Sequence, residues 1–388
     1  MALSKERLLK VYRDMVMIRR FEEVIEEYAA NGTIPGFVHL SIGQEACKAG
    51  VVDALKKTDY KFPDHRGHGA IALCGTDPKL VMAEIFAKET GINHGRGGSM
   101  HVNDLECRNM GFNGIQGSTM VTCLGTAFAS VYNGTDDVTA VFLGDGTLGE
   151  GTCHESMNMA ATWKLPIIYC LVNNGYAIST RYEEAHPQKE LKTWGEGYEV
   201  PSFRLDGNDI EAVIEAVEKA ADRARKGEGP TVLEFMTYRW QGHFAGDPAA
   251  YRPEDEVSYW VNDRDPLKLT KAILLEREQV EPAVLQAVEE EEEKYIIKEE
   301  HEDENIIYGE NVNALFEHIC DIDKNAKTVC IVGEIFNIET KELKNGKILL
   351  IADVTDNTSS ISCKLFLNDL NQDKVLSKIS EGTNVRIK

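Results

Sequence analysis

Two polar residues, Asp145 and Asn174, each follow a short apolar run, and together they could hold a metal ion. The runs Val138–Leu143 and Ile167–Val172 predict strands, and Gly149–Lys164 between them predicts one helix. Strands joined in this way are parallel neighbours through a right-handed crossover, so both residues reach the carboxyl edge of the sheet, where open α/β sheets bind ligands. A carboxylate and an amide oxygen there suit Mg²⁺, which usually also takes phosphate oxygens and water.

The spacing of these motifs carries a family resemblance. Gly144-Asp145-Gly146 and Asn173-Asn174, separated by the 26 residues 147–172, resemble the diphosphate-binding motif of thiamine diphosphate enzymes. The surrounding segments GDGTLGEG, NMAATWKLP and NNGYAIST are similar to the alpha subunit of the first, dehydrogenating component of 2-oxo acid and acetoin dehydrogenase complexes. The alternative for the glycine motif alone is an ordinary Rossmann-like unit whose Gly and Asn residues only form turns. The asparagine pair at this spacing favours the cofactor site.

The resemblance implies a fold class and the centre of the site. The fold is expected to be α/β: a thiamine diphosphate-binding fold with a mostly parallel sheet and helices on both faces. Mg²⁺ is expected to bind the side chains of Asp145 and Asn174 and the backbone carbonyl of Tyr176, with two diphosphate oxygens and a water. The cofactor-binding residues implied in this stretch are Gly144, Asp145, Gly146, Thr147, Asn174 and Tyr176.

A polar, glycine-punctuated segment, residues 64–69, is predicted to be a loop. Arg66 matches an arginine that reaches the cofactor diphosphate in the family, and a guanidinium binds phosphate bidentately without losing its charge. His65 stands where relatives often have Tyr and receives no role. His65 and His68 have the HxxH spacing of some zinc sites, but no third ligand is evident, so a zinc site is disfavoured.

A second loop, residues 113–117, follows the glycine cluster Gly95–His101, which resembles the family's G-[KR]-G-G-S-M-H segment. In relatives the backbone of this turn binds the aminopyrimidine ring of the cofactor. By that match the Gly114 carbonyl and the Gln116 amide are candidates. The alternative is a plain turn before a helix at Met120–Tyr132.

The third candidate loop follows a predicted strand, Thr231–Arg239, and resembles the family's flexible active-site loop YR-x-x-G-H-x-x-x-D. His243 matches the histidine that supports the diphosphate and gates the site, so it is the catalytic candidate. Phe244 occupies the position of a serine that is phosphorylated in relatives from higher organisms, and that control is therefore expected to be absent.

Helices are predicted around these loops. Ser4 can cap a long helix that reaches about Asn31 and stops at Gly32, and Gln44 and Glu45 are expected to begin a helix rather than act in chemistry. Asn208-Asp209 caps an amphipathic helix that ends near Gly227. Two further helices are predicted at Pro266–Gln279 and Pro282–Tyr295.

Composition excludes some classes of function. The 388 residues are 43% hydrophobic with a formal charge of −22, which argues against binding nucleic acid by phosphate neutralisation. The nine cysteines include no CxxC pair, which is typical of reduced thiols in a cytoplasm. The start MALSKERLLK lacks the apolar core of a signal peptide, and no run of 18 apolar residues occurs. The expectation is a soluble, cytoplasmic protein that does not bind membranes.

The chain changes character after an acidic block. We expect a dehydrogenase alpha-subunit domain at 1–293, an acidic linker at 294–304 and a small domain at 305–388. The last resembles an incomplete oligonucleotide-binding (OB) domain of the Gram-positive-type DNA polymerase III alpha chain, most strongly over Val332–Leu367, and the junction suggests a fusion or chimaera. Its predicted strands are Thr328–Glu339, Ile348–Thr355, Ser360–Leu367 and Asn384–Lys388, with a hairpin turn at Asn345-Gly346, one strand short of a five-stranded barrel.

The C-terminal domain has little to attract a nucleic acid. From Asn305 onward it has 10 Lys and Arg against 12 Asp and Glu, a net charge of −2. Phe336 and Phe366 could stack on bases, but as strand residues they are expected in a core. Only weak binding of single strands is expected.

The resemblance implies an alpha subunit of an acetoin dehydrogenase that depends on thiamine diphosphate and Mg²⁺. It would cleave acetoin and pass the acetyl unit to a dihydrolipoyl acyltransferase; pyruvate or a branched-chain 2-oxo acid is the alternative substrate. The family's activating glutamate comes from a beta subunit, so an α2β2 assembly is expected and the chain alone should be inactive. A nicotinamide dehydrogenase would need GxGxxG, which GDGTLG does not match. A single-strand-binding module on an inactive carrier is the remaining alternative.

Overall fold

The computed structural model describes residues 2–296, 319, 331–343, 347–356, 359–367, 375–376, 379–381 and 383–387. The chain divides into two compact units, Met1–Ile297 and Lys298–Lys388. The predicted turn Asn345-Gly346 and most of the predicted acidic linker lie outside the described residues. The domain bounds therefore stay a prediction.

The first unit is built on a five-stranded parallel sheet in the order β1-β2-β3-β7-β6. Its strands are β1 Tyr60–Phe62, β2 Thr139–Gly144, β3 Ile167–Asn173, β6 Ser202–Asp206 and β7 Thr231–Met236, and β4 Tyr176–Ala177 with β5 Thr180–Arg181 forms a separate short hairpin. The helices are α1 Lys5–Ala30, α2 Glu45–Ala54, α3 His68–Leu73, α4 Pro78–Ile85, α5 Ser118–Asn133, α6 Gly151–Thr162, α7 Tyr182–Ala185, α8 Thr193–Glu196, α9 Ile210–Arg225, α10 Glu254–Asn262, α11 Pro266–Glu276 and α12 Pro282–Ile296.

Helices cover both faces of this sheet, as predicted. Successive side chains of a strand point to opposite faces, and β2 shows this directly. Val141 and Leu143 pack in one core with residues of α5 and α6. Ala140 and Phe142 pack in another core with residues of α2 and α9. The α/β fold class is confirmed, and the parallel β2–α6–β3 crossover has the predicted order.

The helix ends follow the capping residues of the sequence. The Ser4 hydroxyl accepts a hydrogen bond from the Arg7 N–H at the start of α1, and Asp209 accepts from two backbone N–H groups at the start of α9. α2 begins at Glu45, as expected. Several elements differ from their predicted lengths, among them α6 and β7. α6 begins at Gly151 because Asp145–Gly149 forms a 3₁₀ helix, and β7 ends at Met236, where both neighbouring strands end too.

The second unit contains a four-stranded antiparallel sheet, ordered β10-β9-β8-β11. Its strands are β8 Ile331–Glu342, β9 Ile348–Thr355, β10 Ser360–Leu367 and β11 Asn384–Ile387, close to the predicted ones. Ile335, Ala352 and Val354 form the centre of its core.

The expectation that Phe336 and Phe366 lie in this core is wrong. Their side chains are 48% and 58% exposed. Phe336 sits at a β-bulge, where the register with β9 shifts between Ile335 and Asn337. Phe366 alternates with the buried Leu367, so it points away from the core.

Among the described residues, no helix combines the length and the apolar character that crossing a membrane requires.

Candidate functional site

The two candidate ligand segments leave the sheet side by side. β2 and β3 pair in parallel register, Gly144 opposite Val172, so the 3₁₀ helix that follows β2 lies next to the Asn173-Asn174 turn. The 3₁₀ helix also packs tightly on β4. A Cβ atom at Gly146 would lie 2.6 Å from the Cβ of Ala177, so only glycine fits there. The predicted meeting of both segments at the carboxyl edge is confirmed.

Asp145 places an unsatisfied carboxylate at this edge. Its side chain is 2% exposed, and its Oδ1 accepts a hydrogen bond of 2.7 Å from the Gly146 N–H. Its Oδ2 is buried without a hydrogen-bond partner. Burial raises the pKa of Asp145 to about 6, against the opposing effects of the Gly146 N–H and the guanidinium groups of Arg239 and Arg66. A buried anionic oxygen of this kind calls for a cation.

The two asparagines of the pair have different surroundings. Asn173 is fully buried and its amide is used within the protein, donating to Glu234 at 2.8 Å. Asn174 is 6% exposed, and among the described residues its Oδ1 accepts one hydrogen bond, a long one of 3.4 Å from the Tyr176 N–H. The Tyr176 hydroxyl donates to Glu256, which leaves the backbone carbonyl of Tyr176 as its candidate ligand atom.

Arg66 and His243 meet directly, although 177 residues separate them. Arg66 donates to the carbonyls of Leu40 (2.9 Å) and His243 (2.8 Å), and its Nη2 lies 3.2 Å from the Nδ1 of His243. Burial and the charge of Arg239 lower the pKa of Arg66 to about 9, so it stays charged at pH 7. Burial and both guanidinium groups lower the pKa of His243 to about 4. The neutral imidazole can offer a hydrogen bond to an anion, but not a positive charge.

The structure adds Arg239 and His39 to the candidate site, two residues without a role in the sequence analysis. Arg239 is 1% exposed, lies 3.4 Å from the His243 ring through its Nη1, and has an Nε without a partner. His39 forms a cluster with His65 and His243, whose ring nitrogens lie within 4.8 Å of one another. Arg66 and Arg239 stand beside this cluster, and two positive charges favour an anion there over a metal ion. In the sequence, Arg239 stands in the segment that resembles the family's YR-x-x-G-H-x-x-x-D loop, and His39 begins residues 39–46, which resemble the family's H-x-x-x-G-Q-E-A segment.

His68 does not join this cluster. Its Nε2 lies 2.8 Å from the Ser99 hydroxyl and its Nδ1 lies 3.2 Å from the Glu22 carboxylate, all three being buried. The two histidines of the HxxH spacing therefore face different neighbours.

The segment of Gly114 and Gln116 borders the same site. Gly117, at a φ of +90°, packs against the start of α6: a Cβ there would lie 3.2 Å from the Thr152 hydroxyl. The Gln116 side chain lies close enough to the His65 ring to affect its pKa. Within the described part of the chain, the Gly114 carbonyl and the Gln116 N–H have no hydrogen-bond partner. Gly144 and the buried Thr147 lie beside Asp145.

Comparison with known proteins agrees with this geometry. The family model described as the dehydrogenase E1 component matches residues 13–306. The chain belongs to this family. The E1 family implies thiamine diphosphate as cofactor, and the chain is an oxidoreductase subunit of the alpha type.

Relatives of this E1 chain carry two kinds of name. It is similar to a pyruvate dehydrogenase E1 component subunit alpha of Rhizobium meliloti, 42% identical over 274 residues, which cover 71% of this chain and 79% of the relative. A Rickettsia felis protein of the same name is 38% identical over 296 residues, 76% of this chain and 90% of the relative. The alpha subunit of the Bacillus subtilis acetoin:2,6-dichlorophenolindophenol oxidoreductase is 41% identical over 275 residues, covering 71% and 83%.

The residues present fit the cofactor of the family. The unpartnered Asp145 Oδ2 suits a cation, and two buried guanidinium groups suit a diphosphate. The free backbone groups of Gly114 and Gln116 suit a ring with donors and acceptors.

Proposed function

We propose that this E1 chain is the alpha subunit of an acetyl-forming dehydrogenase that uses thiamine diphosphate and Mg²⁺. The buried, unpartnered carboxylate oxygen of Asp145 carries the proposal, because a buried carboxylate oxygen without a hydrogen-bond donor suits a cation. Asp145, Asn174 and the Tyr176 carbonyl would hold Mg²⁺. The bound cofactor would supply the carbanion chemistry, and the protein supplies binding, orientation and electrostatics.

Each remaining residue has a role that follows from its contacts. Arg66 would bind diphosphate oxygens as a fixed cation, and the neutral His243 would donate a hydrogen bond beside it. Gly146 keeps the 3₁₀ helix close to β4, and Thr147 and Gly144 would complete the lining of the cofactor site beside Asp145. The Gly114 carbonyl and the Gln116 N–H would orient the aminopyrimidine ring.

The substrate is acetoin or pyruvate, and either would yield an acetyl unit for a dihydrolipoyl acyltransferase. The segment NNGYAIST supports acetoin. Two of the three relatives described above are named pyruvate dehydrogenase subunits, and these names support pyruvate at least as well.

A beta subunit is the proposed partner, in an α2β2 assembly. The resemblance to the family implies that the glutamate that activates the cofactor comes from the beta subunit. α5 and α6 also expose a group of large apolar side chains on their outer surfaces, and such patches mark interaction surfaces. The exposed residues are Val121, Phe128, Val131 and Tyr132 on α5, Met159 on α6 and Trp163 at its end.

Binding of the cofactor tests the site. Asp145→Ala should abolish Mg²⁺-dependent binding of thiamine diphosphate, because it removes the anionic ligand of the cation. Isothermal titration calorimetry with Mg²⁺ present measures this. Asp59→Asn is the matched control: Asp59 is also fully buried, but it binds Arg225 and the Val138 N–H at the amino end of β2. Unchanged binding by the Asp145 variant would refute the assignment.

Turnover tests the substrate and the partner. The chain alone should reduce no dye with acetoin, pyruvate or branched-chain 2-oxo acids, and adding a cognate beta chain should produce activity with acetoin or pyruvate. Steady-state rates over this panel decide between the two substrates. Robust turnover by the lone chain would contradict the need for a beta subunit.

The C-terminal unit has a second candidate function, weak binding of single-stranded nucleic acid by an OB-like domain. The exposed side chains of Phe336 and Phe366 support it, because bases stack on exposed aromatic rings. The net charge of −2 from Asn305 onward opposes it.

A further inference from the structure

Glu234 is a fully buried carboxylate on β7, between β3 and β6 of the parallel sheet, and the proposed chemistry does not use it. It lies on β7, opposite Leu171 of β3 and Arg204 of β6. Its Oε1 accepts a hydrogen bond of 2.8 Å from the Asn173 amide, and its Oε2 accepts one of 3.0 Å from the Lys192 N–H. The Nε of Arg204 lies 3.8 Å from Oε1. A buried carboxylate is costly unless its partners are fixed, so these contacts point to a positioning task.

Asn173 connects Glu234 to the turn at Asn174-Gly175, because its side chain contacts both. With its amide nitrogen on Glu234, its Oδ1 must face the other way, and it accepts the Gly175 N–H at 3.2 Å. Its backbone carbonyl accepts the Thr237 N–H at 3.0 Å. Gly175 adopts a φ of +92°, a conformation that this hydrogen bond helps to hold.

The turn held in this way carries the proposed cation ligands. Asn174 stands between Asn173 and Gly175, and Tyr176 follows directly. This turn follows β3 directly, and the 3₁₀ helix of Asp145 follows the neighbouring strand β2 directly, so the two segments lie side by side at the same edge of the sheet. A small rotation of the Asn173 amide would therefore move Asn174 relative to Asp145.

We propose that Glu234 is a positioning residue for the cation site: it holds Asn173, and through Asn173 it fixes the turn that presents Asn174 beside Asp145. This inference rests on the proposed function. Outer partners of metal ligands typically change metal affinity by about 10- to 100-fold when they are replaced. Glu234→Gln keeps the volume but places an N–H donor against the Asn173 amide or the Lys192 N–H, so one of the two hydrogen bonds is lost.

Electron paramagnetic resonance of Mn²⁺, titrated into the full chain with thiamine diphosphate, measures the cation affinity without any turnover. Glu234→Gln should weaken Mn²⁺ binding about 10-fold or more. Asn173→Ala should do the same, and the double variant should bind no more weakly than the weaker single one, because both act through one link. Asp59→Asn, which alters a buried carboxylate at the other end of the sheet, should bind Mn²⁺ like the wild type.

Unchanged Mn²⁺ affinity in folded Glu234→Gln, or additive losses in the double variant, would overturn the inference. If Glu234→Gln does not fold, Asn173→Ala tests the inference instead. Unchanged Mn²⁺ affinity in folded Asn173→Ala would also overturn it. Other outcomes would refute the proposed function itself. These are a wild type that binds no Mn²⁺ with thiamine diphosphate, or an Asp145→Ala variant that binds Mn²⁺ as well as the wild type does. Either outcome would also refute the inference about Glu234.

Discussion

Asp145, the proposed cation ligand, carries a cost in stability. Its ordinary pKa of 3.8 rises to about 6 because burial penalises the charged form. Between pH 3.8 and about 6, the folded chain without ligand therefore still binds this proton, whereas the unfolded chain has already lost it. The carboxyl group contributes most to stability below pH 3.8, and this contribution is lost as the pH rises through 6.

Replacing this group should stabilise the protein while abolishing cation binding. Asp145→Asn removes the buried charge, so the free energy of unfolding at pH 8 should rise on the order of 1–3 kcal/mol, and the gain should shrink as the pH falls below 6. Urea unfolding at pH 5 and pH 8, without Mg²⁺ or cofactor, measures this. Tryptophan fluorescence reports on the first unit, which contains all four tryptophans. A variant less stable than the wild type at pH 8 would show that the carboxylate has a partner.

Single residues were predictable where their type and spacing carry the chemistry. Asp145, Asn174, Arg66 and His243 stand in segments that can be recognised without a structure. Glu234 could not be foreseen, because a glutamate inside a strand shows its task only when the neighbouring strand brings the Asn173 amide to it. Arg239 and His39 belong to the same class, since their importance comes from burial beside Arg66 and His243.

At the level of elements, the site depends on the contact between the 3₁₀ helix Asp145–Gly149 and β4. A helix was predicted from Gly149, but the tight 3₁₀ turn before α6 was not, because it depends on packing against a hairpin formed 30 residues later. The bulge at Phe336 is a similar case. Strand periodicity predicts an alternating pattern, and an extra residue that breaks the register cannot be read from apolar character alone.

A methyl group placed in this contact should disturb the site. Gly146→Ala puts a Cβ 2.6 Å from the Cβ of Ala177, so the 3₁₀ helix must move. Overpacking of this kind costs about 1–3 kcal/mol of stability, and the displaced Asp145 should weaken Mg²⁺-dependent cofactor binding. Calorimetry and thermal unfolding measure the two effects.

Gly151→Ala is the matched control. Gly151 begins α6 only five residues later, and no atom lies within 4 Å of a Cβ placed there. This variant should bind the cofactor like the wild type. Equal binding by both variants would show that the 3₁₀ helix does not need its close approach to β4.

At the level of the whole molecule, the chain contains two units, an α/β unit with a parallel sheet and a second unit with an antiparallel sheet. The family match ends at residue 306, and the two compact units divide at residue 297. The E1 function therefore belongs to the first unit. The sequence predicted β2 and β3 as parallel neighbours in that unit, and it predicted the approximate positions of the four strands in the second unit. What the second unit binds depends on which of its side chains are exposed, and the strand pattern placed Phe336 and Phe366 wrongly.

Polydeoxythymidine binding tests the second unit. Two exposed phenylalanines offer stacking, but a net charge of −2 from Asn305 onward and −22 over the whole chain repels phosphates. At physiological salt the full chain should bind with a dissociation constant of about 10 µM or weaker, within the range of nonspecific binding. Fluorescence anisotropy measures this, with a variant carrying Phe336→Ala and Phe366→Ala as control. Submicromolar affinity that the double substitution abolishes would instead make the second unit a binding module, because stacking would then outweigh the repulsion.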